Sequence, residues 1–240
     1  MKAAAPAVPW DDYAGAYDLM AELNPAYQDL LLRFGTAADK WPLEPGAMVL
    51  DTGAGTGNFT LRAAAMHLQA IFLHTEPEPA MQRRAQEKTV AAGCTNVRFL
   101  PHSAESLHFA QRSLSGAILA HVLYALPDPH VYLQRLHGWL RPGAPVWACD
   151  LGRILDVGAW RRYLVREVVR SRGLSAAVRA LWRGRAVTRA NHRIAAAQRT
   201  GQFWLHDGAE FATFFRNAGF HVENVESAYR GDSDLLLATA

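Results

Sequence analysis

The stretch from Ala47 to Leu61, AMVLDTGAGTGNFTL, constrains the fold more than any other part of the chain. A short apolar run, Ala47 to Leu50, ends on Asp51, and glycines follow at the alternate positions 53, 55 and 57. From Asn58 the residues turn helix-forming, through Leu61 and Ala63 to Met66. A buried strand, a tight turn and a helix N-terminus, in that order, are how an α/β sheet holds a nucleotide-like ligand at its carboxyl edge. Glycine accepts positive φ in such a turn and lets ligand atoms come against bare backbone. The dinucleotide pattern G-x-G-x-x-G is incomplete here, because its last glycine is missing.

A chain of 240 residues, half of them hydrophobic and a fifth charged, suits one α/β domain with room for a helical insertion. The opening MKAAAPAVPWDDY lacks the apolar core of a signal peptide, and no uncharged run is long enough to span a bilayer. Cys94 and Cys149 are isolated thiols without metal-ligand spacing, which points to a reducing cytoplasm, to apolar packing, and to no metal site. The net charge of +3 hides an asymmetry. Between Arg153 and Thr200 twelve arginines face only Asp156 and Glu167, so this segment carries about +10 and the remainder about −7.

Taken in order, residues 10–41 read as helical, with an apolar set broken near Asn24-Pro25. Trp41-Pro42 and Pro45-Gly46 mark the turn into the first strand. A second strand, Ala70 to Thr75, ends on Glu76, 19 residues after Gly57. That offset is near the one expected of the acid that grips ribose hydroxyls, and Pro77 ends the strand. Further strands are expected at Val97–Leu100, Ser115–Leu123, Pro145–Asp150, His221–Val225 and Asp234–Thr239. His121 falls at the carboxyl edge of the fourth, where ligands gather. Within the arginine-rich segment, Val157, Trp160, Leu164 and Val168 recur at helical spacing. Second and third helices follow, at Ser175–Trp182 and around Ala190–Arg199. Asp-Gly-Ala-Glu, 207–210, has capping-box spacing, which makes Asp207 a helix cap.

The pattern acid-x-Gly-x-Gly-x-Gly, with Asp51 at the strand end, resembles the first motif of the class I S-adenosylmethionine (SAM)-dependent methyltransferases. More specifically it is similar to their small-molecule methyltransferases of types 11 and 25. Other segments carry the same resemblance: Tyr13, Tyr17 and Asp18 in the leading helix; Pro101 to Phe109; Ser115 to Asp128; Leu140-Arg-Pro-Gly-Ala144; and Ala218-Gly-Phe220. It covers about 1–150 and 201–240. It implies a Rossmann-like α/β three-layer sandwich whose seven-stranded sheet is mostly parallel, with an antiparallel last strand and a helical insertion between strands 5 and 6. The chain then reads as one SAM-binding domain, 1–240, with a helical cap at 10–41 and an arginine-rich lid at 153–200.

The resemblance also assigns residues. Asp51, Gly53, Gly55, Glu76 and Pro77 would meet the amino-acid and ribose parts of SAM. Met81, Ser103, Ala104 and Glu105 would surround adenine, Ser103 standing where the family usually has an acid. His121 would touch the cofactor and lead as a general base, since an imidazole titrates in the working range. Tyr17 would orient substrate, with Tyr124 beside it and His206 as a weaker choice. The expected activity is methyl transfer from SAM to an O, N or C atom of a small, hydrophobic metabolite; Trp160, Trp182, Phe203 and Trp204 could line its pocket, and core packing accounts for them equally well. Alternatives are a non-methylative use of SAM in cyclisation or decarboxylation, and a non-catalytic SAM-pocket subunit that docks through the basic segment. That segment suits a solvated helical insertion whose apolar face packs on the domain, a lid over the substrate, or a docking surface for an anionic carrier protein or a membrane surface. Nucleic acid is disfavoured because no aromatic stacking run accompanies the arginines.

Overall fold

A computed structural model describes the backbone from residue 10 and the side chains from residue 14 onward to residue 240. Tyr13 lies outside the described side chains. Two helices, α1 (Trp10–Leu23) and α2 (Pro25–Ala38), precede the sheet. Asn24 separates them and caps α2 by accepting from the Ala26 N–H, with Pro25 at the first helical position, where its missing N–H costs nothing.

Five strands follow, β1 (Met48–Thr52), β2 (Ile71–Thr75), β3 (Val97–Leu100), β4 (Gly116–Ala120) and β5 (Pro145–Leu151). The helices α3 (Asn58–Met66), α4 (Pro79–Ala91) and α5 (Pro129–Trp139) lie between them. After β5 come α6 (Val157–Arg172), α7 (Leu174–Arg183), α8 (Arg185–Arg199) and α9 (Gly208–Asn217). The chain ends with β6 (His221–Ala228) and β7 (Ser233–Thr239). The sheet order is β3-β2-β1-β4-β5-β7-β6, parallel from β1 to β5, with β7 antiparallel to both its neighbours. This is the expected seven-stranded sheet with its antiparallel last strand, and the helical insertion expected between strands 5 and 6 is there as α6, α7 and α8.

Strand residues alternate between two cores, as strands covered on both faces must. Val49, Phe72, Ile118 and Trp147 face α1, α2, α3 and α8, while Leu50, Leu73, Leu119 and Ala148 face α5 and α9. Phe59 on α3 fills the space between helix and sheet, its ring 5.3 Å from Phe34 and 5.2 Å from Trp147. Asp207 and Glu210 form the capping box that starts α9, so Asp207 is a cap. Cys149 is fully buried, and both cysteines are free thiols. Among the described residues, no helix is long and apolar enough to cross a membrane.

Candidate active site

The order of the sheet reverses between β1 and β4, and the loops that leave their carboxyl ends part there to form a crevice. In the β1–α3 turn Gly53, Gly55 and Gly57 all take positive φ, at 60°, 56° and 78°. At Gly53 the side chain of Val122 comes so near that an added Cβ would lie 2.6 Å from it, whereas a Cβ on Gly55 would meet nothing within 4 Å. Gly53 is therefore bare for close packing, and Gly55 is bare toward open space.

Glu76, at the end of β2, forms the acidic wall of the crevice. Its Oε2 accepts the Gly55 N–H at 2.9 Å and its Oε1 the Glu78 N–H at 2.9 Å. The carboxylate is thus fixed against the glycine turn, with a lone pair left on each oxygen for a ligand. Burial raises its pKa and the two backbone donors oppose the rise.

Asp51 lies just behind the turn. Its side chain is 1 % exposed, and the cavity wall is formed by Gly53 and Gly55 in front of it. Thr60 Oγ1 donates to Asp51 Oδ2 at 2.5 Å, and Oδ1 has no protein partner among the described residues. Burial, opposed by Thr60 and reinforced by the charge of Glu76, pushes this carboxyl up to about 7.

The crevice opens into a cavity of about 440 Å³, within the size range of small-molecule sites. One half is walled by Gly53, Gly55, Glu76, Pro77, Met81, Ser103, Ala104 and Glu105, which brings together every candidate cofactor contact except Asp51, behind the turn, and His121, at the border of this half. Ser103 initiates a short 3₁₀ turn, Ala104–Ser106, and Glu105 stands exposed at the rim. The other half is lined by Leu155 and, from α6, α7 and α8, by Trp160, Leu164, Val168, Leu181 and Ile194, with Tyr17, His121 and Tyr124 between the halves.

His121 follows β4, which stops at Ala120 and not at Leu123, and takes the left-handed region, φ 53°, a conformation that histidine tolerates better than most residues but that still stores strain. Its Nε2 lies 3.1 Å from Ser233 Oγ, and its ring packs edge-on against Tyr229 at 5.0 Å. Burial pushes its pKa down to about 4. The expectation that it titrates in the working range is therefore corrected: the ring is neutral at pH 7. Tyr17 is hydrogen-bonded to Tyr27, and burial holds its phenol well above its ordinary pKa.

Tyr17 belongs to a polar latch that the sequence only hinted at. Asp18 accepts from Thr56 Oγ1 at 2.7 Å and Lys88 Nζ at 2.8 Å, and Arg84 Nε adds a third donor at 2.9 Å. Lys88 also donates to Asn58, which reaches Tyr27. This network ties α1 to the glycine turn and to α4. Burial raises the Asp18 carboxyl, but Lys88, Thr56 and Arg84 outweigh it and hold the pKa below the ordinary value.

Three aromatic assignments are corrected. Trp160 lines the cavity as expected, but Trp182 points outward, 68 % exposed. Trp204 stacks on Phe214 at 4.3 Å, and Phe203 packs on the far side of Tyr124 at 5.1 Å. His206 is buried away from the cavity, its Nδ1 3.1 Å from Asp234 Oδ2, while Arg153 pairs with the same carboxylate. With Asp150, whose pKa is raised by burial, these groups join the chain on either side of α6, α7 and α8 to β5 and β7. Sequence separation hid this joint. Its members lie up to 84 positions apart and share no motif.

Residues 49–143 match the family model described as "Methyltransferase domain". The match takes in β1, the acid–glycine turn at the sheet's switch point and the segment that leads to β5. Over those residues the chain is similar to methyltransferase domains. An uncharacterised protein of Mycobacterium tuberculosis is 30% identical over 149 residues, covering 59% of this chain and 51% of its own. The chain spans about half the length of the curated relatives it matches. Two solved structures share the fold. A SAM-dependent methyltransferase from Aquifex aeolicus has a TM-score of 0.60 at 15% identity, over 93% of this chain and 97% of its own. A methyltransferase solved with the Trm112 activator of Haloferax volcanii has a TM-score of 0.63 at 16%, over 98% of each.

The residues fit S-adenosylmethionine, the cofactor that the sequence resemblance implies. The open space at Gly55 admits ligand atoms against backbone. Glu76 offers two fixed acceptors for a vicinal diol, Met81 gives an apolar face, and Asp51 Oδ1 is an orphaned acceptor behind the turn. Among the described residues no cluster of metal-binding side chains occurs.

Proposed function

We propose that the chain is a SAM-dependent methyltransferase that moves the methyl group of SAM to an O, N or C atom of a small, largely hydrophobic molecule held under a lid formed by α6, α7 and α8. One observation carries the reading. The cavity is continuous from the glycine turn and Glu76 to an apolar chamber roofed by α6, α7 and α8. Glu76 would hold the ribose, Met81, Ser103 and Ala104 the adenine, and Asp51 would act on the amino-acid end through the turn.

When bound, SAM supplies a methyl carbon attached to a sulfonium, whose displacement leaves a neutral thioether. The chain's own task is then to align nucleophile and methyl and to keep water out. Leu155, Trp160, Leu164 and Ile194 do the second by giving the chamber apolar walls. Tyr17 and Tyr124, at the border of the two halves, would orient the accepting atom. His121, neutral at pH 7, accepts or donates one hydrogen bond there. Its depressed pKa makes it a weak general base, so the reading favours acceptors that ionise readily or need no deprotonation.

The test is incubation with methyl-labelled SAM and a panel of apolar phenols, amines and carboxylic acids, followed by mass spectrometry. Label in a panel member, with stoichiometric S-adenosylhomocysteine, is expected. S-adenosylhomocysteine formed without label in any product, or a SAM-dependent rearrangement of an unlabelled substrate, would contradict methyl transfer.

A further inference from the structure

The lid has two sides, and only the inner one is explained by the cavity. In α7, Ala177, Ala180 and Leu181 line the chamber. A helix advances 100° per residue, which aligns Leu174, Val178 and Trp182 (i, i+4, i+8) along a ridge on its outer side. These three side chains are 71 %, 61 % and 68 % exposed. Arg179 and Arg183 occupy the adjacent stripe, Arg172 precedes the helix and Arg185 follows it, all four exposed. The Arg185 guanidinium lies over the Trp182 ring at 5.2 Å. Glu22 on α1 reaches Arg172 at 3.0 Å and Arg183 at 3.9 Å, one carboxylate from outside set against the 153–200 segment, whose own net charge is about +10.

A helix with an apolar ridge, a cationic flank and a tryptophan on the ridge has the make-up of one that lies in the headgroup layer of a bilayer. With ten residues α7 is too short to span. We propose that α7 docks the domain on an anionic lipid bilayer, with Leu174, Val178 and Trp182 entering the acyl boundary and the flanking arginines meeting lipid phosphates. The charge asymmetry of the molecule orients the encounter, because the acidic remainder is repelled by the surface that attracts the lid. An acidic protein partner would match the arginines equally well, but it would not call for three large apolar side chains standing clear of the helix. Docking in this way sets the roof of the apolar chamber against the lipid phase, from which a hydrophobic substrate would enter.

The experiment is vesicle flotation of the full chain, read without any activity, so its outcome is separate from that of the methylation reading. Vesicles of equimolar phosphatidylcholine and phosphatidylglycerol should carry the protein on the order of tenfold better than phosphatidylcholine alone, and added salt should reduce the difference. The triple variant Leu174→Ser, Val178→Ser, Trp182→Ser keeps every charge and should lose binding while retaining its circular dichroism spectrum and SAM affinity. Failure of the wild type to float with anionic vesicles, or equal flotation of the triple variant, would overturn the proposal. So would salt-sensitive retention on an acidic protein by a chain that ignores vesicles. Should the triple variant not fold, Trp182→Phe decides. Quenching of wild-type fluorescence by brominated lipid should shrink in this variant, and unchanged quenching would contradict insertion of the ridge.

Discussion

Replacing Glu76 tests the cofactor half of the site where the structure is most specific. Its two oxygens are already pinned by the Gly55 and Glu78 N–H groups at 2.9 Å each, so they meet a ribose diol without first giving up rotational freedom. Each hydrogen bond to an ionised acceptor contributes about 1.5–3 kcal/mol. Loss of two bonds in Glu76→Ala should therefore weaken SAM binding by about 3 kcal/mol or more, roughly 150-fold in Kd. Glu76→Gln keeps one acceptor oxygen and the side chain's shape, and it should fall between, at about tenfold. The assay is calorimetric titration with SAM and with S-adenosylhomocysteine, alongside thermal melts that confirm the fold. A Glu76→Ala protein that melts normally and binds SAM within about threefold of wild type would refute the ribose assignment, because that is less than one charged hydrogen bond.

Three further expectations follow from named contacts. Gly55→Ala places a methyl group in open cavity space at φ 56°; the fold should lose only about 1–2 kcal/mol in denaturant titrations, while SAM affinity should fall more than tenfold. His121→Gln should alter the acid limb of stability. The wild-type ring is neutral in the folded chain and has its pKa near 4 there, whereas the unfolded chain takes up the proton below about 6.5. Wild-type stability should therefore drop relative to the variant as pH falls from 6.5 to 4, by at most about 3 kcal/mol, as read from urea midpoints across pH. Asp18→Asn removes the carboxylate that Lys88 and Arg84 share; proteolysis within residues 10–23 should speed up and SAM should dissociate faster, as seen in stopped-flow traces.

Much of the fold was legible because its signals are local. The apolar run before Asp51 and the alternate glycines specify a strand, a turn and a helix, and the Leu140–Ala144 break announces β5. The strand periods beyond residue 220 marked the closing pair. Glu76 and Ser103 could be placed because each ends or follows a strand, and strand ends converge at one edge of a parallel sheet. What could not be read locally were properties set by packing. The low pKa of His121 comes from burial beneath Tyr229 and Ser233, more than a hundred positions away. The orientation of Trp182 depends on which side of α7 meets α6 and α8, and periodicity alone gives a stripe without saying what covers it. The buried joint of Asp150, Arg153, His206 and Asp234 draws on three separate segments, each of which reads as an ordinary loop or strand end.

The central claim is that the glycine turn and Glu76 hold the cofactor so that its sulfur faces the apolar chamber under the lid. A crystal structure of the protein with S-adenosylhomocysteine tests this most directly. The ribose hydroxyls should meet Glu76, the adenine should lie among Met81, Ser103 and Ala104, and the sulfur should point between Tyr17 and His121 toward Trp160 and Leu164. Density that places the nucleoside away from Glu76, or that turns the sulfur from the chamber toward bulk solvent, would contradict the account.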